Sequence, residues 1–155
     1  MTAPRIRAAR ADEAGLLSEL ALRSKAYWGY DPAFMAACRD ELTLAPKEIA
    51  PRRTAVAVDG SGSVLGFATL EGEPLTGELG MLFVAPEAMG RGVGRLLFEH
   101  LVSTARESGF TGLTIDADPN AEAFYRAMGA VRTGSVPSGS VPGRVLPRML
   151  LTVRR

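Results

Sequence analysis

The chain has 155 residues, of which 46% are hydrophobic and 23% are charged, values typical of one soluble globular domain. We therefore expect a single domain over residues 1–155. The net charge is +1, with 18 basic and 17 acidic residues, so the strongly basic field typical of nucleic-acid binding is missing. One cysteine, Cys38, excludes an intramolecular disulfide. With a single histidine, His100, the chain also lacks the ligands of the usual Cys/His zinc sites, and we predict no metal site.

Targeting signals are missing from the sequence. The amino terminus has no apolar core of the kind found in signal peptides, and no apolar run approaches the roughly 18 residues of a membrane span. The sequence therefore predicts a cytoplasmic protein that binds neither membrane nor nucleic acid.

Hydrophobic periodicity and chain breakers predict elements in the order β-α-α-β-β-β-α-β-α-β-β. In the first part of the chain, Asp12 is expected to cap a helix that ends near Lys25. Asp31 and Pro32 are typical of the start of a second helix, which ends near Glu41. Strands are predicted at residues 5–9, 54–58, 64–70 and 78–84, with a hairpin turn at 59–63.

The strand at 78–84 is almost wholly apolar, so we expect it to be buried on both faces. A long helix from Gly92 to about Glu107 follows, and Gly109 ends it. The remaining elements are a strand at 113–117, a short helix at 120–128, and hairpin strands at 130–133 and 145–153. The loop between the hairpin strands, residues 134–143, is either mobile or one wall of a site. Together the elements predict a mixed sheet with helices, in the α+β or α/β class.

A glycine-rich turn, residues 90–94, connects the strand that ends at Val84 to the long helix. Alternate glycines present several backbone N–H groups in one direction, and the first N–H groups of the helix lack internal partners. The helix dipole and the charges of Arg91 and Arg95 add to this positive potential. The turn is therefore predicted to bind an anion such as a pyrophosphate.

Three other interpretations of this turn compete. A P-loop is excluded because no lysine follows the glycines. A dinucleotide-binding loop fits Gly90 and Gly92, and Asp116 lies about 20 residues further on, but Arg95 stands where the third glycine belongs. A glycine-rich turn without any ligand is the third.

The residues of the turn resemble the GNAT superfamily of acetyl-CoA-dependent N-acetyltransferases. That family's loop is Gln/Arg-x-x-Gly-x-Gly/Ala, and residues 89–94 (MGRGVG) match it with Met89 at the first place. Residues 120–130 (NAEAFYRAMGA) are similar to its pattern Asn-x-x-Ala-x-x-Phe-Tyr-x-x-x-Gly-Phe, with fewer spacer residues before Phe124 and Ala130 for the last Phe. The resemblance implies a mixed, mostly antiparallel central sheet of six to seven strands flanked by about four helices, and acetyl-CoA as cofactor.

The resemblance also implies which residues bind the cofactor. The glycine turn would hold the phosphates, the backbone near the end of the preceding strand would meet the acetyl carbonyl, and Asn120 would contact the pantetheine arm. The expected cofactor-binding residues are Phe83, Val84, Met89, Gly90, Arg91, Gly92, Val93, Gly94, Arg95 and Asn120.

Acetyl transfer from a thioester to an amine needs a base for the amine and is helped by an acid for the departing thiolate. Tyr125 resembles the tyrosine that serves the family as this acid; the alternative is a core tyrosine. Glu78 stands where many family members carry an acidic residue and is the candidate base; the alternative is a solvated carboxylate. Other carboxylates compete with it as the base, namely Glu71, Glu73 and Asp31.

An aromatic segment follows the first helix and contains Tyr27, Trp28 and Tyr30. Such clusters line small-ligand pockets, although aromatic packing between helices is the alternative. Residues 24–31 and 142–147 look like a bacterial subset of the family, in which these regions flank the acceptor site. We therefore expect the three aromatic residues and Arg144 to bind the acceptor, with Arg144 suited to a carboxylate.

These residues predict an enzyme that moves an acetyl group from acetyl-CoA to a primary amine of a small molecule or amino acid by direct attack in a ternary complex. Cys38 is interpreted as a small hydrophobic residue and not as a nucleophile. Two alternatives remain: a non-catalytic sensor that binds acetyl-CoA, and a protein N-acetyltransferase. A homodimer is compatible with the sequence.

Overall fold

The computed structural model describes residues 3–154, in which seven strands and four helices occur in the predicted order. The strands are β1 (Arg5–Ala8), β2 (Ala55–Val58), β3 (Val64–Glu71), β4 (Thr76–Val84), β5 (Gly112–Asp116), β6 (Val131–Pro137) and β7 (Val145–Thr152). The helices are α1 (Ala14–Ala26), α2 (Pro32–Leu42), α3 (Val93–Glu107) and α4 (Glu122–Ala127). None of the helices described combines the length and the apolar character that a membrane span requires.

All seven strands belong to one sheet, in the spatial order β1-β2-β3-β4-β5-β7-β6. Only the β4–β5 pair is parallel among the strands described, and the other neighbouring pairs are antiparallel. This is the mixed, mostly antiparallel sheet with four helices that the sequence predicts. Parallel neighbours need a crossover connection, and α3 provides it between β4 and β5.

The parallel pair separates soon after it forms. β4 and β5 are paired only from Thr76 to Glu78 on one strand and from Gly112 to Thr114 on the other. β4 continues to Val84 beside β3. The β5-facing edge of its second half therefore has no strand partner, and a gap opens in the middle of the sheet.

The prediction that β4 is buried on both faces is wrong. Its first residues alternate, with Leu79 and Met81 buried and Glu78 and Gly80 exposed, because the second face is left open. The register shift against β3 leaves Gly80 as an extra, bulged residue between Leu79 and Met81. A Cβ on Gly80 would lie 1.7 Å from a carboxylate oxygen of Glu71, so a larger residue at this bulge would have to displace the Glu71 side chain.

The starts of α1 and α2 show when a local sequence signal is sufficient to predict where a helix begins. Asp31 caps α2 as predicted, since its carboxylate accepts a hydrogen bond from the N–H of Phe34 at 2.8 Å. Asp12 does not cap α1, which begins only at Ala14 after a turn at residues 11–13. Glu13 holds this turn instead, because its carboxylate accepts the N–H of Arg10 and pairs with Arg7.

The Arg7–Glu13 pair fixes α1 to the first strand. Both carboxylate oxygens of Glu13 accept hydrogen bonds from Arg7, at 2.9 and 2.8 Å, and only 8% of the Glu13 side chain is exposed. These hydrogen bonds, although opposed by burial, lower the pKa of Glu13 from 4.5 to about 2. The pair therefore stabilises the folded state at neutral pH.

Substitution of Glu13 tests this contribution. A carboxyl group whose pKa is lowered in the folded state stabilises it above the unfolded pKa, and the effect is lost as the pH falls through the folded pKa. We expect Glu13→Gln to lower the free energy of unfolding at pH 7 by up to about 3 kcal/mol, with the difference shrinking between pH 4.5 and pH 2. Urea denaturation at several pH values measures it, with Glu19→Gln on the exposed side of α1 as the control. A difference independent of pH would contradict the role of the charge.

Candidate active site

A cavity of about 610 Å³ lies at the gap between β4 and β5. The second half of β4, the glycine turn, the residues after β5 and helix α4 contribute to its lining. The end of α1, with Lys25 and Trp28, and the β6–β7 loop, with Ser138 and Arg144, line the same cavity. The regions predicted for cofactor and for acceptor therefore meet in one space.

The glycine turn offers a row of free backbone donors to this cavity. Gly90 and Gly92 have φ values of +78° and +80°, which L side chains rarely adopt. Helix α3 begins at Val93 without a side-chain cap. Within the described chain, none of the backbone N–H groups of residues 90–95 donates to an acceptor. Such a row of unpaired N–H groups at a helix start is suited to an anion.

Most of the predicted cofactor residues line the cavity. They are Phe83, Val84, Met89, Gly90, Gly92, Val93, Gly94, Arg95 and Asn120. Arg91 does not line it and is exposed. The turn directs that side chain away from the cavity, although its backbone N–H remains free.

Tyr125 lies on α4 and lines the cavity with 5% of its surface exposed. Its hydroxyl makes no hydrogen bond to a described residue. Among these residues, every side-chain N or O atom that is fully buried has a hydrogen-bond partner. The hydroxyl oxygen is therefore not fully enclosed. Burial, together with the negative charge of Asp118, raises the pKa of Tyr125 above its usual value, so the phenol keeps its proton.

Glu78 lies on β4 two residues before Gly80 and does not itself line the cavity. Although its surface is exposed, the surrounding sheet desolvates the carboxylate, and the charges of Glu71 and Asp116 add to this, so its pKa is raised. Glu71 accepts a hydrogen bond from Thr69 at 2.8 Å. Glu78 makes no hydrogen bond or ion pair within residues 3–154, which leaves it the freest of these carboxylates.

The charged cluster at the acceptor region is built around Asp118, in the segment after β5. Its carboxylate lies 3.2 Å from Nζ of Lys25 and 3.3 Å from Nη2 of Arg144, and it accepts the hydroxyl of Tyr30 at 3.0 Å. Burial alone would raise the pKa of Asp118, but the N–H of Asn120 and the charge of Lys25 hold it below its usual value. We call Lys25, Tyr30, Asp118 and Arg144 the Asp118 cluster.

Aromatic rings support the cluster from one side. Tyr30 stacks on Phe34 with ring centroids 4.0 Å apart, and the guanidinium of Arg144 lies 4.8 Å from the Phe34 centroid. Trp28 lines the cavity with 46% of its surface exposed. Tyr27 contacts the Trp28 ring edge-on but does not line the cavity. Of the three predicted aromatic residues, Trp28 alone lines the cavity, Tyr27 contacts Trp28, and Tyr30 belongs to the Asp118 cluster.

The loop between β6 and β7 forms a wall of the cavity. It begins after Pro137, later than predicted, and the side chain of Ser138 accepts the N–H groups of Ser140 and Val141. Ser140 donates its hydroxyl to Glu41 on α2. These contacts and the cluster hold the loop over the site.

Comparison with known proteins identifies the family. Residues 20–130 match the sequence model of the acetyltransferase (GNAT) family. The chain belongs to the GNAT family.

Two curated relatives of this GNAT protein have names that point to different acceptors. The peptidyl-lysine N-acetyltransferase YjaB of Salmonella typhimurium is 34% identical over 79 residues, 51% of this chain and 50% of that protein. The streptothricin acetyltransferase of Streptomyces lavendulae is 38% identical over 87 residues, 53% of this chain and 46% of that protein. The chain therefore spans about half the length of the curated relatives it matches.

Solved structures confirm the fold over nearly the whole chain. A GCN5-related N-acetyltransferase from Rhodopseudomonas palustris superposes with a TM-score of 0.81 at 26% identity, covering 98% of this chain and 97% of that one. The PaiA N-acetyltransferase from Thermoplasma acidophilum, in complex with coenzyme A, superposes with a TM-score of 0.79 at 18% identity, covering 97% and 99%. The predicted GNAT-like fold is confirmed.

Sequence reasoning did not identify Lys25 and Asp118 as site residues. Lys25 lies in the segment 24–31 but has no local signal that separates it from other surface lysines of a helix end. Asp118 has a weak signal, since it follows a strand whose carboxyl end lies beside the glycine turn. Their contact joins residues 93 positions apart, which only the fold reveals.

Proposed function

We propose that this GNAT protein transfers an acetyl group from acetyl-CoA to a primary amine of a small molecule, by direct attack in a ternary complex. The observation that carries the proposal is the single cavity that adjoins the free N–H groups of residues 90–95, the hydroxyl of Tyr125 and the Asp118 cluster. An anion site, a proton donor and a polar acceptor region are the parts that this reaction needs.

The residues present fit coenzyme A. The uncapped start of α3 and the free N–H groups suit a pyrophosphate, and no atom lies within 4 Å of a Cβ position on Gly90 or Gly92. The unpaired edge of β4 offers backbone groups to an extended amide-containing arm, as an added strand would use them. Acetyl-CoA, when bound, supplies the acetyl group as a reactive thioester.

The residues of the chain then have separate roles. Glu78, next to the cavity-lining Leu79, accepts through a water molecule the proton that the amine loses. Tyr125 donates from its hydroxyl towards the sulfur as the C–S bond breaks, and a backbone N–H near Phe83 stabilises the carbonyl oxygen. Cys38 takes no part, because it is buried outside the cavity lining and burial raises the pKa of its thiol.

The shape of the acceptor region favours a small molecule over a protein lysine. The β6–β7 loop is linked to α2 by Ser140–Glu41 and to the segment after β5 by Arg144–Asp118, and these links support a small acceptor over an extended peptide. The names of the relatives cover both classes of acceptor. Location in the cytoplasm, the homodimer and the independence from nucleic acid stay predictions of the sequence.

Thiol release from acetyl-CoA tests the function directly. We expect release with members of a panel of free amino acids and small amines, and little release with peptides that contain an internal lysine. Equal or faster release with the peptides would favour a protein N-acetyltransferase. Tight acetyl-CoA binding without turnover on any amine would indicate the sensor module.

The glycine turn is tested by a matched pair of substitutions. Gly92 and Gly62 have φ values of +80° and +86° with no atom near a Cβ, so alanine costs a similar backbone strain at both positions. We expect Gly92→Ala to weaken CoA binding by at least about tenfold, because the Cβ blocks the approach of the phosphates. Gly62→Ala should lower the melting temperature to a similar extent and leave CoA binding unchanged. Calorimetric titration measures both, and equal affinities would argue against phosphate binding here.

The role of Tyr125 is tested by removing only its hydroxyl. Tyr125→Phe should lower kcat by a factor on the order of 10²–10⁴ while the KM for acetyl-CoA changes little, since the interaction is made mainly in the transition state. An unchanged kcat would make Tyr125 a packing residue. A raised KM with normal kcat would make it a cofactor contact only.

The role of Glu78 is tested through the pH dependence of the rate. A base works in its deprotonated form, and the pKa of Glu78 is raised. As the pH is lowered, the rate of the wild-type protein should therefore begin to fall at a pH above the usual pKa of a glutamate. Glu78→Gln should lower kcat/KM and remove this acid limb, whereas Glu71→Gln should keep it. If the rate of Glu78→Gln still fell at acid pH in the same way, another group would have to be the base.

A further inference from the structure

The Asp118 cluster contains two buried cations and one carboxylate. The side chains of Lys25, Asp118 and Arg144 are exposed by only 12%, 15% and 16%. Both cations line the cavity, together with Asp118. The cluster therefore has one more positive charge than negative charge. Burying that charge largely away from water is unfavourable unless another anion binds beside it.

The polar groups of the cluster that still lack a hydrogen-bond partner among the described residues are N–H donors. Asp118 accepts from Tyr30, Lys25 and Arg144, and also from the backbone N–H and the side-chain amide of Asn120. Arg144 uses only Nη2, which contacts Tyr30 at 2.8 Å and Asp118. Its Nε and Nη1 atoms donate to no described residue, and Nζ of Lys25 has one acceptor for its three N–H groups.

Two other carboxylates line the same cavity, Asp116 and Glu41, and each has partners outside the cluster. Asp116 is paired with Arg148 through two hydrogen bonds, at 2.8 and 3.0 Å. Glu41 is exposed on α2, and its carboxylate accepts the hydroxyl of Ser140. Neither makes an ion pair with Lys25 or Arg144 within residues 3–154.

We propose that the acceptor is an amine that also carries a carboxylate, as a free amino acid does, and that Lys25 and Arg144 bind this carboxylate. This inference rests on the proposed function and names its substrate class. Charge-assisted hydrogen bonds from both cations satisfy the free donors and neutralise the excess charge. Asp118 is a positioning residue: it holds the two cations side by side and leaves their remaining N–H groups for the ligand.

The fluorescence of Trp28 gives a direct binding assay, because it is the single tryptophan of the chain and it lines the cavity. The ligands are matched triplets: an amino acid, its carboxamide and the amine that lacks the carboxyl group. Triplets with small, apolar, acidic and basic side chains are titrated into the protein with and without CoA. We expect at least one amino acid to bind about tenfold to a hundredfold more tightly than its two partners.

Substitutions then show which residues cause the preference for the carboxylate. Lys25→Gln and Arg144→Gln should each reduce the affinity ratio of acid to carboxamide by about tenfold or more, since each removes a cation that binds the carboxylate. Lys47→Gln is the matched control, because Lys47 is the other lysine of the chain and is exposed away from the cavity. Asp118→Asn should raise the KM for the acceptor far more than the KM for acetyl-CoA.

The outcomes separate this inference from the proposed function. Carboxamides or simple amines that bind and react as well as the acids would overturn the inference while acetyl transfer stands. An acid preference that survives in both Lys25→Gln and Arg144→Gln, or the failure of every acid to bind, would overturn it as well. Loss of CoA binding or of thiol release with every amine would instead overturn the proposed function, and the fluorescence titration without CoA would still decide the charge preference.

Discussion

The site depends on the separation of β4 from β5. Two parallel strands that stay paired would close the sheet, but pairing here ends at Glu78 and Thr114 while β4 runs on to Val84. Helix α3 is the crossover that parallel neighbours require, and its free N–H groups lie at the gap. The bulge at Gly80 lies in the same stretch of β4, where the strand has lost its partner on one edge. Topology therefore brings a row of free backbone N–H groups and an open strand edge together without any further element.

The second organising interaction is the carboxylate of Asp118. It connects the end of α1, the α1–α2 connection and the β6–β7 loop to the segment after β5, through Lys25, Tyr30 and Arg144. Burying these charges costs free energy that their contacts only partly recover. The cluster therefore contributes little to the stability of the fold. Removal of one partner would leave a buried charge without compensation. A cluster of this kind is better understood as a means of fixing cations at defined positions in a cavity.

The sequence predicted what is encoded locally. The order of the elements, the cap at Asp31 and the glycine turn each depend on a few neighbouring residues, and the structure has all three. The start of α1 was misplaced because the contact between Glu13 and Arg7 on β1, and not a local capping signal at Asp12, holds the preceding turn. An apolar run alone could not show that one face of β4 stays open, because that depends on where β5 leaves it. The Asp118 cluster was only partly predictable, since its contacts join residues 26 to 114 positions apart.

The raised pKa of Tyr125 limits how this residue could assist the proposed reaction. An alkyl thiol has a pKa near 8.5, and the pKa of Tyr125 is raised above its usual value near 10 by burial and by Asp118. At equilibrium the proton therefore stays on the phenol and not on a free thiolate. Tyr125 is then most effective as a hydrogen-bond donor to the sulfur while negative charge develops on it, when a neutral, protonated donor in a desolvated place stabilises that charge strongly. In the proposed reaction the final proton of the thiol comes from the amine, by way of Glu78 or solvent. The negative charge of Asp118 thus has two effects, because it contacts the cations Lys25 and Arg144 and adds to burial in raising the pKa of Tyr125.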